Sequence, residues 1–171
     1  TTEQNVIENL NVESGAATVN RDMLFTAPGQ EKLICPATRG GKNYPAGSYS
    51  PLTGLMYFPL ENTCMTATSG AGQSLDDLYA FRNTVQMTPG AENVGRIDAI
   101  SASTGTTAWQ IEERAGTLSL LTTGGGLLFG GDVNGRFRAY DQRTGEQLWE
   151  VNLGSPVNGY PVSFAVDGKQ Y

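Results

Sequence analysis

Residues 99–109 read AISASTGTTAW, and residues 139–149 read AYDQRTGEQLW. The two stretches share an alanine, a Thr-Gly pair and a tryptophan, and each shared residue recurs 40 positions later. A period near 40 in strand-type sequence is typical of β-propeller blades, in which each repeat is a sheet of four short strands. The repeat therefore predicts an all-β fold in which similar four-stranded sheets follow one another along the chain.

The second copy of the repeat divides into four predicted strands joined by short turns. Residues 116–122 are apolar and β-prone, as in an inner strand buried on both faces. Residues 127–129 predict the next strand, and the DVNG sequence at 132–135 predicts a hairpin turn, because Asn and Gly tolerate positive φ. Residues 136–141 alternate with period two, and residues 146–153 predict the outer strand.

The chain as a whole predicts a partial propeller. Residues 46–112 form one blade, which is interrupted by a long insertion at 61–94, and residues 113–153 form a second. Residues 154–171 begin another blade, and the residues before 46 end an earlier one. Loops as long as the insertion are usually functional or disordered. About two complete blades and parts of two more would leave open sheet edges, which could be covered by the rest of a propeller or by a second copy.

Composition excludes several function classes. The formal net charge is −6 and only 16% of residues are charged, so no nucleic-acid partner is expected. No apolar run approaches the roughly 20 residues that a membrane-spanning helix needs. The absence of histidine excludes Ser-His-Asp catalysis and histidine-ligated zinc.

The spacing of Cys35 and Cys64 leaves their state open. It does not match a CxxC redox or zinc site, so the two residues form either a disulfide or a pair of buried thiols. A disulfide would indicate an oxidising compartment. The polar sequence at Thr1 and the strand-like sequence at Tyr171 do not resemble natural termini, and we expect a segment of a longer protein.

Several blocks of this sequence, in order along the chain, resemble the PQQ-dependent quinoprotein alcohol dehydrogenases, which include the methanol and ethanol dehydrogenases. Here PQQ is pyrroloquinoline quinone. The blocks are CPATRGGKN at 35–43, SYSP at 48–51, Cys64-Met65, the stretch 125–149, GYP at 159–161 and DGKQY at 167–171.

The resemblance implies an eight-bladed propeller of which this chain is a C-terminal part. It implies a disulfide between Cys35 and Cys64, and it implies that Asn43 binds the quinone edge of PQQ. An amide suits that position because its NH₂ group donates to a quinone oxygen that gains charge on reduction. The alternative is that Asn43 only turns a loop. The family places a tryptophan near the start of the strand at 116–122, where this chain has Thr117 and Leu118.

The family's chemistry implies an alcohol substrate, hydride transfer to PQQ, and electron transfer to a cytochrome c-type acceptor in the periplasm. A Ca²⁺ or lanthanide ion polarises a quinone carbonyl there, and an aspartate acts as base. The residues that do so lie outside this chain, so no catalytic residue and no metal ligand are assigned and the chain alone should be inactive. The alternative function is a non-enzymatic scaffold with PQQ-like repeats, which the Cys35–Cys64 insertion disfavours.

Overall fold

The computed structural model describes residues 2–70 and 81–171, and almost all of their regular structure is β-strand. A short 3₁₀ helix covers Arg21–Met23. The all-β prediction is confirmed, while the middle of the predicted insertion, residues 71–80, lies outside the described residues. The strands are β1 (Ile7–Leu10), β2 (Ala17–Val19), β3 (Glu31–Ile34), β4 (Ser48–Ser50), β5 (Leu55–Glu61), β6 (Thr63–Ser69), β7 (Phe81–Met87), β8 (Gly95–Ser101), β9 (Thr107–Glu113), β10 (Thr117–Thr122), β11 (Leu127–Asp132), β12 (Arg136–Asp141), β13 (Gln147–Asn152), β14 (Ala165–Val166) and β15 (Lys169–Gln170).

The strands belong to two compact units. The first comprises the residues up to Gly41 together with Asn62–Ala91, and the second comprises Lys42–Glu61 and Glu92–Tyr171. The second unit contains two antiparallel four-stranded sheets, in the orders β4-β5-β8-β9 and β10-β11-β12-β13, followed by the hairpin β14-β15. Within each four-stranded sheet the strands lie side by side in chain order, as in a propeller blade.

Burial in the second unit is lowest in the outer strand of each four-stranded sheet. The first five residues of β8 and the first four of β10 are buried, whereas β13 is mostly exposed. The inner strand β10 (TLSLLT) and the outer strand β13 (QLWEVN) each carry three apolar residues, so the difference in burial follows from the positions of the strands in the sheet and not from their composition.

One hydrophobic cluster joins the two sheets of the second unit. Ile97 and Leu128 are fully buried, and Trp109 and Ile111 pack against the cluster from the outer strand β9. Each fully buried large aliphatic side chain contributes about 1.5–3 kcal/mol relative to exposure. The buried members are Leu55, Tyr57, Ile97, Ala99, Leu120, Leu128 and Tyr140.

The repeated Thr-Gly segments form the same turn in each sheet. The Gly105 N–H donates to the Ser101 carbonyl oxygen over 2.9 Å, and the Gly145 N–H donates to the Asp141 carbonyl oxygen over 2.9 Å. Both glycines have positive φ, 71° and 76°. In the first unit Gly15 closes an equivalent turn onto the Asn11 carbonyl oxygen over 2.8 Å.

The first unit contains the hairpin β1-β2 and a three-stranded antiparallel sheet in the order β3-β6-β7. Two of these strands, β6 and β7, lie in the stretch that the sequence indicated only as a long excursion. They pair along their whole length, from Thr63 opposite Met87 to Ser69 opposite Phe81. Residues of β3 pair with β6, from Glu31 opposite Thr68 to Ile34 opposite Met65.

Candidate functional site

A disulfide joins Cys35 to Cys64 in the first unit, with a sulfur–sulfur distance of 2.07 Å. The disulfide that the resemblance implied is therefore present. Both cysteines are buried, at 3% and 0% exposure. Backbone hydrogen bonds hold the residues around it, because the Ala37 N–H donates to the Thr63 carbonyl oxygen over 2.9 Å and the Asn5 N–H donates to the Cys35 carbonyl oxygen over 3.0 Å. The bridge thus lies inside a fixed backbone framework.

The candidate cofactor residue Asn43 lies in an exposed loop of the second unit, just before β4. Its side-chain Oδ1 accepts the Tyr44 N–H over 2.7 Å. This bond fixes the orientation of the amide, since Oδ1 acts as the acceptor within the loop and the NH₂ group is the donor side.

Lys42 spans the same loop. Its Nζ donates to the carbonyl oxygens of Asn43 and Pro45, each over 2.5 Å. The pKa of Lys42 lies below its ordinary value because the loop partly desolvates the ammonium group. The side chain therefore turns back onto its own loop.

The end of this loop is fastened to the inner strand β10. The Ala46 N–H donates to the Ser119 Oγ over 3.0 Å, and the Leu120 N–H donates to the Ala46 carbonyl oxygen over 2.9 Å. The next residue, Gly47, passes so close to β5 that a Cβ atom there would lie 2.6 Å from the Tyr57 carbonyl oxygen. A side chain at that position would push the loop away from the sheet.

The start of β10 carries two buried side chains at the place where the resemblance implied a tryptophan. These are Thr117 and Leu118, at 4% and 9% exposure. Thr117 Oγ1 has no hydrogen-bond partner among residues 2–70 and 81–171. A buried hydroxyl of this kind usually has a partner.

A buried charge cluster in the second unit was missed by the sequence interpretation. Arg138, at 6% exposure, pairs with Asp132 over 3.0 Å, with Glu150 over 2.7 Å and with Glu113 over 3.5 Å. The Tyr140 hydroxyl donates to Glu113 over 2.6 Å. Because Glu113 ends β9 and the other residues belong to the following sheet, the cluster joins the two blades.

The pKa values in this cluster follow from burial and pairing. The pKa of Tyr140 is raised by burial and by its bond to the Glu113 carboxylate. Burial alone would lower the pKa of Arg138, but the carboxylates of Glu113, Glu150 and Asp132 outweigh it and raise that pKa. The alternation of Arg136, Arg138 and Tyr140 along β12 could have indicated three polar groups on one face.

The side-chain amide of Asn43 fits the chemistry of PQQ, because a quinone oxygen accepts hydrogen bonds from N–H groups. Within the described ranges no group of three aspartate, glutamate, cysteine or histidine side chains could hold a metal ion. The part of the chain that the structure describes also lacks a helix that is long and apolar enough to cross a membrane.

Comparison with known proteins identifies the family. Residues 91–171 match the PQQ-type model described as the glucose/ethanol/alcohol dehydrogenase β-propeller domain. The chain is 38% identical to the lanthanide-dependent methanol dehydrogenase of Methylacidiphilum fumariolicum strain SolV over 151 residues, which is 82% of this chain. The chain belongs to the quinoprotein alcohol dehydrogenase family.

A solved structure extends the similarity to the fold of the quinoprotein dehydrogenases. A europium-containing methanol dehydrogenase matches 99% of this chain with a TM-score of 0.86 and 28% sequence identity. Subunit 1 of the methanol dehydrogenase [cytochrome c] of Methylobacterium organophilum is 32% identical over 156 residues, which is 82% of this chain. The match to the europium-containing structure and to the β-propeller domain model confirms the partial-propeller prediction.

The chain spans only part of these quinoprotein relatives. It covers 24% of each of the two methanol dehydrogenases compared by sequence and 30% of the europium-containing one.

Proposed function

We propose that this chain is part of a PQQ-dependent dehydrogenase that oxidises alcohols, and that Asn43 holds the quinone edge of the cofactor. The observation that carries the proposal is the Asn43 loop, in which Tyr44 fixes the amide orientation and Ser119 anchors the loop to a buried strand. Membership of the quinoprotein family supports the same function.

In this proposal PQQ supplies the chemistry, because its quinone accepts hydride from the alcohol carbon. Asn43 donates one N–H to a quinone oxygen, and that bond strengthens as the oxygen gains negative charge. The chain's own contribution is thus to orient a donor before the reaction begins. Anchoring to β10 removes the need to order the loop when the cofactor binds.

The metal, the base and the electron acceptor belong to the same proposal. A Ca²⁺ or lanthanide ion and an aspartate base would come from residues outside this chain, as the resemblance to the quinoprotein dehydrogenases implies. The name of the Methylobacterium relative, which specifies cytochrome c, supports a cytochrome c-type acceptor. The buried disulfide supports an oxidising compartment, and we propose the periplasm.

The proposed function is tested in the complete polypeptide that contains this segment. We expect dye-linked alcohol oxidation that requires added PQQ, and we expect Asn43→Ala to lower turnover by about 10- to 100-fold, the loss typical of one hydrogen bond to a charged group. Asn158→Ala, which removes an exposed amide elsewhere in the second unit, is the matched control.

Two results would contradict the proposal. One is alcohol oxidation that is indifferent to PQQ, and the other is an Asn43→Ala variant that turns over like Asn158→Ala. The purified 171-residue chain should show no dye-linked alcohol oxidation with PQQ and Ca²⁺, because the proposed base and metal ligands lie outside it. Measurable turnover by that chain would also contradict this account.

A further inference from the structure

We propose that Lys42 is a positioning residue for Asn43, because its ammonium group locks the backbone on both sides of Tyr44. The inference rests on the proposed function of Asn43 as a cofactor-binding residue. Lys42 does not itself touch the quinone in this proposal. It acts by fixing the loop from which the Asn43 amide projects.

The Lys42 side chain forms two hydrogen bonds to the backbone of its own loop, within residues 42–45. Lys42 Nζ donates to the Asn43 carbonyl oxygen and to the Pro45 carbonyl oxygen, each over 2.5 Å. These two carbonyl groups flank Tyr44, whose own N–H is bonded to the Asn43 side chain. One cation therefore fixes the backbone before and after the residue that orients the amide.

The Lys42 hydrogen bonds fix the Asn43 end of the loop, and the inner strand β10 fixes the Ala46 end. Ala46 is fastened to Ser119 and Leu120 of the inner strand, and Ser119 is only 4% exposed. Between that anchor and Asn43 lie only Tyr44 and Pro45. The Lys42 bonds extend the fixed region from Ala46 back to Asn43.

The local sequence gives the Lys42 hydrogen bonds a role at the Asn43 end of the loop. Gly40 and Gly41 precede Lys42, and glycine restricts the backbone least of all residues. Their covalent structure alone places little restriction on the backbone that leads to Asn43. Hydrogen bonds from a charged donor are roughly twice as strong as neutral ones, so a lysine compensates for this freedom.

The test is a double-mutant cycle in the complete PQQ-loaded polypeptide. We compare wild type, Lys42→Met, Asn43→Ala and the double variant, and we measure turnover of alcohol and the dissociation constant of PQQ. Lys42→Met keeps the length of the side chain and removes the donors. Lys42→Arg restores a cation with several donors, and Lys169→Met removes an exposed lysine of the hairpin β14-β15 as the matched control.

We expect Lys42→Met to weaken PQQ binding and turnover by about tenfold in all, because the two hydrogen bonds come from an exposed ammonium group that water also solvates and act on the quinone only through Asn43. The double variant should match Asn43→Ala within about twofold, because a residue that acts through Asn43 has nothing left to position. Lys42→Arg should recover most of the loss, and Lys169→Met should behave like wild type. Rescue by arginine also shows that the methionine variant does not fail merely by misfolding.

Two results would overturn the inference while leaving the cofactor role of Asn43 intact. One is a Lys42→Met variant that equals wild type while Asn43→Ala is impaired. The other is a double variant whose losses multiply, which would show that the two residues act independently. An unimpaired Asn43→Ala variant is a different failure, because it overturns the proposed function of Asn43 and the role of Lys42 with it.

Discussion

The indole N–H of Trp109 donates to the carbonyl oxygen of Gln142 over 3.0 Å, and this bond joins the outer strand of one blade to a turn of the next. The same carbonyl oxygen accepts the Tyr57 hydroxyl over 2.9 Å. Gln142 itself is fully buried, and its Nε2 donates to the Thr123 and Leu127 carbonyl oxygens. Trp109 thus contacts a turn that is also held by the Tyr57 hydroxyl and by the Gln142 side chain.

Replacing Trp109 by phenylalanine should destabilise the second unit by about 1–2 kcal/mol. The substitution removes one hydrogen bond, worth about 0.5–1.5 kcal/mol, and part of the ring that packs on the core. Urea unfolding followed by far-ultraviolet circular dichroism measures the change.

Trp149→Phe is the matched control at the equivalent repeat position. Trp149 is 48% exposed and lies edge-on to Phe137 of its own sheet, at a centroid distance of 6.4 Å. We expect its loss to cost less than about 0.5 kcal/mol. Equal effects at the two tryptophans would contradict a docking role for Trp109.

Gly145→Ala should cost more than Gly105→Ala, although both glycines have positive φ and close the same turn. A Cβ atom at residue 145 would lie 2.8 Å from the Trp109 ring, whereas one at residue 105 meets nothing within 4 Å. The strained backbone costs about 1 kcal/mol at either position, and overpacking adds about 1–3 kcal/mol at residue 145 alone. Thermal unfolding of the two variants measures the difference, and similar midpoints would contradict it.

The turns of the repeat could be predicted from sequence because their causes are local. An Asp or Ser starts each turn, a glycine with positive φ closes it, and the tryptophan follows four residues later. The bounds of β12, Arg136–Asp141, match the predicted strand for the same reason, since period-two alternation is a property of neighbouring residues.

The remaining features depend on contacts between residues that are distant in sequence. The pairing of β6 with β3 joins Met65 to Ile34, and no local pattern specifies that partner. The spacing of Cys35 and Cys64 left open whether they form a disulfide or remain thiols. Only the resemblance to the quinoprotein alcohol dehydrogenases implied the disulfide. No local pattern indicates the role of Glu113, because its contacts with Arg138 and Tyr140 form across two blades.

Arg138→Met should destabilise the second unit by about 3–5 kcal/mol, because it leaves buried carboxylates without their cation. The Arg138 side chain is 8% exposed, and Asp132 beside it is 3% exposed. Arg136→Met is the matched control, since the Arg136 side chain is 51% exposed and pairs with Glu150 at the surface. That control should change stability by no more than about 1 kcal/mol. Urea midpoints that coincide for the two variants would contradict the importance of the buried cluster.

A fall in pH should weaken the charge cluster around Arg138, because it protonates Glu150. Its pKa lies below the ordinary 4.5 because Arg138 donates a hydrogen bond to it, and Arg136 adds to the effect. A carboxyl group with a lowered folded-state pKa stabilises the protein above its unfolded-state pKa and loses that contribution as the pH falls through the folded-state value. Stability should therefore start to fall below about pH 4.5, and Glu150→Gln should make the decline shallower.

The pH effect has an internal check. In an Arg138→Met background, Glu150→Gln should change the acid dependence much less, because the main cause of the lowered pKa has been removed. Urea midpoints between pH 3 and pH 6 measure all four combinations. An unchanged effect of Glu150→Gln in that background would show that Arg138 is not its cause.

Loss of the disulfide should destabilise the first unit by about 3–4 kcal/mol, as expected for a crosslink that closes a loop of roughly 30 residues in the unfolded chain. The bridge spans a sequence separation of 29, and both cysteines are buried, so serine at both positions also places two hydroxyls in a buried site. Unfolding of the Cys35→Ser/Cys64→Ser variant, compared with wild type in dithiothreitol, separates the two effects. Reduced wild type should lose the crosslink contribution alone, and the serine variant should be less stable still. If reduction leaves the unfolding midpoint of the wild type unchanged, the bridge does not stabilise this unit.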